Sequence, residues 1–362
     1  MEFALGQEQR LFDDSLRGYL ADRLPMERLR SLAETGNGFD AALWQGLNEL
    51  GLHGLLVPER FGGAGLGVLD AAVAAEALGN AAAPVPFAGT IMATLALMLC
   101  ATEAQQDDFL PPIAAGESRF AVGFAGLAGQ TGTATVTLDG NRLSGRLTAV
   151  MDAGAPTHLL VFLRDGTAAV TNASAAVLTM RRSVDYTRPL TDIAFDNAPA
   201  RRLDAANDKL AAAQRVLDAG RIMLAADTLG AAQRMLDRAV AYAKERVQFG
   251  RIIGSFQGVK YMLADCVTML EPCRGLVWYA AHAQDAIPNE ARLTALHAKA
   301  HVGDVGREVA RITTEAHGGM GFTDLLGLHY WFKRISFDRQ VLGGPERCRE
   351  DAADLQGWTL HP

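Results

Sequence analysis

The chain has 362 residues, room for two or three packed domains, and its 49% hydrophobic and 21% charged content is that of a folded protein. A net charge of -7, with Arg181-Arg182 and Arg201-Arg202 isolated among acids, leaves no basic face and excludes a nucleic-acid partner. Cys100, Cys266, Cys273 and Cys348 form no C-x-x-C pair and read as thiols of a reducing compartment, and Met1-Glu2-Phe3 lacks the basic region of a signal peptide.

Residues 1–115 read as a helical domain. Phe3, Leu11, Leu16 and Leu20 recur at roughly helical spacing, and Leu43, Leu47 and Leu50 repeat the theme. A glycine-rich loop follows, Val57-Pro58-Glu59-Arg60-Phe61-Gly62-Gly63-Ala64-Gly65. Asp70 is expected to N-cap a helix over 71–78 that Gly79 ends. No charge stands between Ala77 and Thr102, but Pro84, Pro86 and Gly89 interrupt that stretch. Its dense apolar part, Ile91 to Cys100, is too short to span a bilayer, so a soluble, cytoplasmic chain without membrane contact is expected.

Pro111-Pro112 marks a change of texture, and residues 116–205 read as a small antiparallel β domain. The run Ala134-Thr135-Val136-Thr137-Leu138 alternates with period two, and Asp139-Gly140 signals a hairpin. Leu159 to Leu163 is a short apolar strand followed by an Asp165-Gly166 turn. Ile193 and Phe195 belong to another strand, ending at Asn197-Ala198-Pro199. Residues 206–362 return to helical spacing through Leu210, Leu217, Leu224 and Met235. Pro272 and Pro288 are expected breaks or kinks, and four long helices would make a bundle.

Two segments carry chemistry. In Arg246-Val247-Gln248-Phe249-Gly250-Arg251, followed by Gly254, Phe256 and Gln257, an arginine at a helix end precedes a tight glycine turn. Its planar fork can pair with a phosphate, Phe249 can cover an aromatic or ribose face, and Gln257 can supply an amide. Taken alone, Arg246 reads more simply as a solvated cation complementing the helix dipole. In Glu315-Ala316-His317-Gly318-Gly319-Met320-Gly321-Phe322, three glycines within four residues let backbone approach a ligand, though such loops also merely end helices. His297 and His301, four apart, have no third ligand and read as a helix face, so no metal is expected.

Together with the span from Leu52-His53-Gly54-Leu55 through Val57-Pro58-Glu59 to Glu76-Ala77-Leu78-Gly79, these segments resemble the acyl-CoA dehydrogenase family over nearly the whole chain. Glu315 stands where that family commonly has Gln. The resemblance implies a mostly α, α+β fold: an N-terminal helical domain, a middle antiparallel β-barrel and a C-terminal four-helix bundle. It also implies a tetramer with FAD at subunit interfaces, an acyl-CoA substrate, and an electron-transfer flavoprotein as acceptor. Arg246, Phe249, Gln257, Gly318 and Gly319 match positions that reach across to the adenine-dinucleotide part of a neighbour's FAD. The chemistry needs a base to take the proton beside the thioester carbonyl while the flavin accepts the β-hydrogen as hydride.

The pattern departs from the family in two places. Where the family places its Glu base, this chain has Leu342-Gly343-Gly344-Pro345, and at the alternative helix position it has Gly220-Arg221. Glu346 is the nearest candidate for a catalytic carboxylate, and it reads also as a first-turn helix acid. Asp218 and Asp227 lie farther along a helix. The segments Val122-Gly123-Phe124-Ala125-Gly126 and Val150-Met151-Asp152-Ala153 lack the hydroxyl and aromatic groups expected around the flavin ring. This asymmetry is similar to the shorter subunit of the heterotetrameric acyl-CoA dehydrogenases of bacterial steroid side-chain degradation. Asp185-Tyr186-Thr187-Arg188-Pro189 and Leu328-His329-Tyr330 with Lys333-Arg334 share that character. The resemblance therefore implies a partner subunit that completes the FAD site of a second dehydrogenase chain. The alternatives are a self-sufficient homotetramer using Glu346, a non-catalytic scaffold, and a flavin oxidase or monooxygenase on the same fold.

Overall fold

The computed structural model describes residues 4–128 and 135–358, so Phe3 and Ala134 lie outside the described residues. Six helices open the chain: α1 (Gln7–Arg23), α2 (Met26–Thr35), α3 (Ala41–Glu49), α4 (Val68–Ala81), α5 (Phe87–Cys100) and α6 (Glu103–Ala114). Leu16, Leu20, Leu43 and Leu47 face the core, whereas Leu11 is exposed. α4 and α5 are apolar on nearly every face and accordingly buried on nearly every face.

Asp70 does not N-cap its helix. It is the third residue of α4, and its Oδ2 accepts the N–H of Gly67 at 3.0 Å, so the helix starts earlier, at Val68. Nor does Gly79 end it. A Cβ on Gly79 would stand 2.0 Å from the carbonyl oxygen of Asp227, and one on Gly230 would stand 1.9 Å from that of Glu76. Both glycines are where α4 meets the long helix α7 (Lys209–Glu245) backbone to backbone.

Eight strands follow: β1 (Phe120–Phe124), β2 (Val136–Asp139), β3 (Arg142–Met151), β4 (His158–Phe162), β5 (Ala168–Asn172), β6 (Val177–Arg181), β7 (Leu190–Pro199) and β8 (Arg201–Leu203). They form two four-stranded sheets, ordered β1-β4-β5-β8 and β2-β3-β7-β6. Every pairing is antiparallel except β1 with β4, which run parallel because the β2–β3 hairpin between them belongs to the other sheet. Ala121, Leu159 and Val161 pack with Leu143, Leu147, Ile193 and Phe195 between the sheets. The opposite face of the first sheet, with Phe120, Val122, Phe124, Leu160 and Phe162, joins the main core with the apolar side chains of α5.

The C-terminal helices are α7, α8 (Gln257–Ala286), α9 (Pro288–Ala316), α10 (Leu328–Gln340) and α11 (Pro345–Leu355), with a small hairpin, β9 (Val247–Gln248) and β10 (Arg251–Ile252), after α7. Three are long, at 37, 30 and 29 residues, and α10 is the shorter fourth. Pro288 opens α9, but Pro272 sits inside an unbroken α8. It and Thr268, whose carbonyl loses its helical partner there, are both exposed, so water can serve that carbonyl. No helix among the described residues is long and apolar enough to cross a membrane.

A buried ionic knot ties the β strands to the bundle. Arg188, just before β7, donates to Asp227 of α7 at 2.6 Å and to Asp338 of α10. Arg334 donates to both oxygens of Asp227 at 2.7 and 2.8 Å and to the Thr187 hydroxyl at 3.0 Å. Burial would raise the Asp227 carboxyl, but Arg188 and Arg334 outweigh it and hold it at about 2. Burial pushes Asp338 well above the usual carboxylate range, with Arg188 opposing and the adjacent Asp227 adding to the rise.

Candidate functional site

The two motifs meet at one end of the bundle. Backbone after Glu245 leaves helical geometry at Arg246, whose N–H still reaches the Tyr242 carbonyl at 2.9 Å. The guanidinium of Arg246 makes no ion pair among the described residues and is exposed. The hairpin pairs Gln248 with Arg251 and Val247 with Ile252, so Phe249 and Gly250 form its tip at φ +54° and +76°. Left-handed backbone at a phenylalanine costs about 1–3 kcal/mol, and here it aims a ring that is 94% exposed away from the body of the protein. The tip is braced from below by Phe256, edge-on to Phe249 at 6.2 Å, with Arg251 stacked 3.9 Å over the Phe256 ring. Gln257 opens α8, and its amide donates to the Tyr261 hydroxyl at 3.0 Å.

The glycine loop arrives from α9. His317 is buried, lies 2.7 Å through Nδ1 from the Thr313 carbonyl and packs 4.7 Å from the ring of Tyr242, which joins this loop to the end of α7. Gly321 is packed tightly, a Cβ there standing 2.4 Å from the Thr314 carbonyl oxygen. Gly318 and Gly319 face open space, with nothing within 4 Å. Phe322 is 79% exposed. The five residues picked out in the sequence are therefore all exposed at this end of the bundle: a free guanidinium, an unpacked aromatic face, an amide and two bare glycines. That set suits a nucleotide diphosphate presented by another chain.

The helix position expected for a base is filled with apolar atoms, whereas in the loop a Cβ on Gly343 would meet Arg221 Nη2 at 3.3 Å and the Ala128 carbonyl oxygen at 3.6 Å. A Cβ on Gly220 would meet Met92 Sδ at 2.4 Å and Leu342 Cδ1 at 2.7 Å. Leu342, at φ +60°, is buried, and its carbonyl accepts from Arg221 Nε at 2.9 Å. Arg221 also pairs with Asp218 at 2.9 Å; burial lifts that carboxyl to about 6, against the pull of Arg221. Glu346 stands exposed in the first turn of α11, paired with Arg339 at 2.9 Å, and its own backbone N–H and Arg339 hold its carboxyl below the usual range.

The strand ends that would cradle a flavin ring are likewise occupied. A Cβ on Gly123 would fall 2.4 Å from Leu147 Cδ1, Phe124 is buried against Phe162 at 5.3 Å, and Asp152 Oδ2 accepts the N–H of Gly89 at 2.8 Å. The open arm therefore offers groups that suit FAD, while the side chains at these strand ends are used in packing within the fold. A hollow of about 430 Å³, lined by Phe109, His158, Asn172 and Arg201, lies on the β sheet beside α6 and includes none of the arm residues. Sequence reasoning missed Met92 and Leu342 as the groups that fill the base position, because nothing local marks them as neighbours of Gly220.

An acyl-CoA dehydrogenase N-terminal domain matches residues 6–117 and an acyl-CoA dehydrogenase C-terminal domain matches residues 210–354. Acyl-CoA dehydrogenase IpdE2 of Mycobacterium tuberculosis is 30% identical over 341 residues, 94% of each chain. The chain belongs to the acyl-CoA dehydrogenase family. This is a family of flavoprotein oxidoreductases acting on the CH–CH bond of acyl-CoA. IpdE2 of Mycolicibacterium smegmatis is 28% identical over 97% of this chain and all of that one. Among solved structures, the Tcur3481-Tcur3483 steroid ACAD superposes with a TM-score of 0.88 at 32% identity, covering 98% of this chain and 99% of the other. The ChsE4-ChsE5 complex from Mycobacterium tuberculosis shares the fold, with a TM-score of 0.88 at 24% identity over the full length of both chains.

Proposed function

We propose that the chain is the partner subunit of a heteromeric, FAD-dependent acyl-CoA dehydrogenase that introduces an α,β double bond into an acyl-CoA thioester. The observation that carries this reading is the contrast between the two halves of its flavin machinery. The arm that would serve a neighbour is open and exposed, while neither expected base position carries a carboxylate and the one at Gly220 is filled by Met92 and Leu342.

In this reading Arg246 pairs with the diphosphate, Phe249 covers the nucleoside, Gln257 offers its amide, and Gly318 and Gly319 let backbone approach without a Cβ in the way. Bound FAD supplies the hydride acceptor. The carboxylate that takes the α-proton comes from the second chain, because Glu346 is engaged with Arg339 at the surface. Two of the relatives are named for steroid dehydrogenases or for a complex of two different chains, which supports a bulky acyl group and a mixed tetramer. An electron-transfer flavoprotein would then take the electrons.

The test is to purify the chain alone and co-expressed with a second dehydrogenase-like chain, reading flavin absorbance, oligomeric mass and acyl-CoA oxidation. A colourless chain alone and a yellow, active mixed assembly are expected. Arg246→Ala should strip the mixed assembly of flavin, and unchanged occupancy would point to a scaffold. Glu346→Gln should leave turnover intact; a yellow homotetramer that loses activity with this change would replace the proposal with the self-sufficient reading.

A further inference from the structure

The glycine loop does not end at Phe322. Between it and α10 run Thr323 to Gly327, and this stretch is tied down from two directions. Arg30 of α2 donates through Nη2 to the carbonyls of Asp324 at 2.6 Å and Leu325 at 2.7 Å, and Arg238 of α7 donates to that of Leu326 at 2.6 Å. Three consecutive carbonyls are thus held by two guanidiniums. One turn before Arg30 on the same face of α2, Met26 Sδ lies 2.7 Å from where a Cβ on Gly327 would stand. The other end of the loop is fixed by His317 on Thr313 and by the tight packing of Gly321. Between the two anchors Gly318, Gly319 and the side chains of Phe322, Asp324 and Leu325, the last 74% exposed, are left projecting.

Stability alone does not explain this arrangement. The carbonyls belong to the exposed residues Asp324 and Leu325 and to their neighbour Leu326, so water could serve them. Arg238 is half-buried near Arg30 and Arg234, a like-charge grouping that the Trp331 ring, 5.2 Å from the Arg238 guanidinium, offsets in part. Two guanidiniums committed to carbonyls that water could serve are expected where a backbone has to be held in one place for a ligand.

We infer that Arg30 and Arg238 are positioning residues for the adenine-dinucleotide half of FAD, acting at a distance by fixing the loop that carries Gly318 and Gly319. The inference rests on the reading of this loop as part of a flavin-binding arm. It brings α2 to bear on the cofactor site by way of this loop.

The experiment uses the full chain in its flavin-binding assembly, titrating FAD and, separately, FMN, which lacks the adenylate half. Arg30→Ala and Arg238→Ala should each weaken FAD about tenfold or more, the loss expected for one or two charge-assisted hydrogen bonds. FMN binding and the thermal midpoint of the apo-assembly should stay unchanged, backbone hydrogen exchange should rise at 318–327, and Arg30→Lys should recover part of the FAD affinity. Equal weakening of FMN, or a loss of FAD affinity that only tracks a lowered midpoint, would make the clamp merely structural and overturn the inference. So would unchanged FAD binding in both variants while Arg246→Ala loses it, and the proposed function would then survive. If Arg246→Ala also binds FAD normally, the functional reading itself fails and takes the clamp with it.

Discussion

Gly230→Ala is the sharpest test of how the two ends of the chain are joined. At an ordinary position in α7, alanine in place of glycine should stabilise a helix interior by up to about 1 kcal/mol. Here the new methyl carbon would stand 1.9 Å from the Glu76 carbonyl oxygen and 2.8 Å from the Asn80 nitrogen, both of them backbone atoms of α4. Neither can swing aside as a side chain does, so α4 and α7 must move apart by more than an ångström. That separation also strains the bond from the Asn80 amide to the Gly230 carbonyl, now 3.3 Å. Overpacking of this kind costs about 1–3 kcal/mol and sometimes more, which outweighs the gain in helix propensity. The expected result is a urea midpoint lowered by a net of about 2 kcal/mol, with an unchanged slope. Gly18→Ala is the control: it lies in exposed α1 with nothing within 4 Å of its Cβ, and should raise the midpoint slightly. If both substitutions stabilise alike, the close crossing of α4 and α7 is refuted.

Three further predictions concern charge and strain. Arg188→Met takes away one of the two guanidiniums on the buried, ionised Asp227 and the guanidinium bound to Asp338, and should cost about 3–5 kcal/mol in urea unfolding; an unmoved midpoint would mean the knot contributes nothing. Asp218, raised by burial from 3.8 to about 6, keeps a proton in the folded state that the unfolded chain has released. Its contribution is therefore present below about pH 4 and lost as pH rises through about 6, a change of about 3 kcal/mol. Asp218→Asn should flatten unfolding free energy between pH 4 and 7, and an unaltered slope rules this group out. Phe249→Gly removes the left-handed strain and should raise the midpoint of the isolated chain by about 1 kcal/mol while weakening FAD in the assembly; a simultaneous loss of both would show the ring to be part of the fold.

What was legible in the sequence was local. The arm could be read because helix end, glycine tip and helix start follow one another from Arg246 to Gln257, and each is set by its neighbours in the chain. The hairpin at Asp139-Gly140 was read for the same reason. What escaped depends on partners far along the chain. The direction of β1 against β4 follows from where the intervening hairpin goes, and Gly79 looked like a helix end because its partner Asp227 lies in a helix that starts well over a hundred residues later. The Arg188 motif stood out in the sequence, but its partners Asp227 and Asp338 carry no mark of their own. Pro272 misled because a helix-breaking residue is tolerated on a solvated face.

The burial of α4 has a consequence for the order in which the molecule is made. This helix has no solvent side, and one of the surfaces covering it is α7, which the ribosome delivers only after the whole β region. Until then the emerging chain carries an oily rod with part of its cover still unsynthesised. A fragment stopped at the end of α6 would keep that surface bare, so the first six helices, though matched as a unit, are not a piece that can be cut out and expressed. They are completed from the far end of the gene, and a helper that shields apolar segments during synthesis would have most to do in that interval.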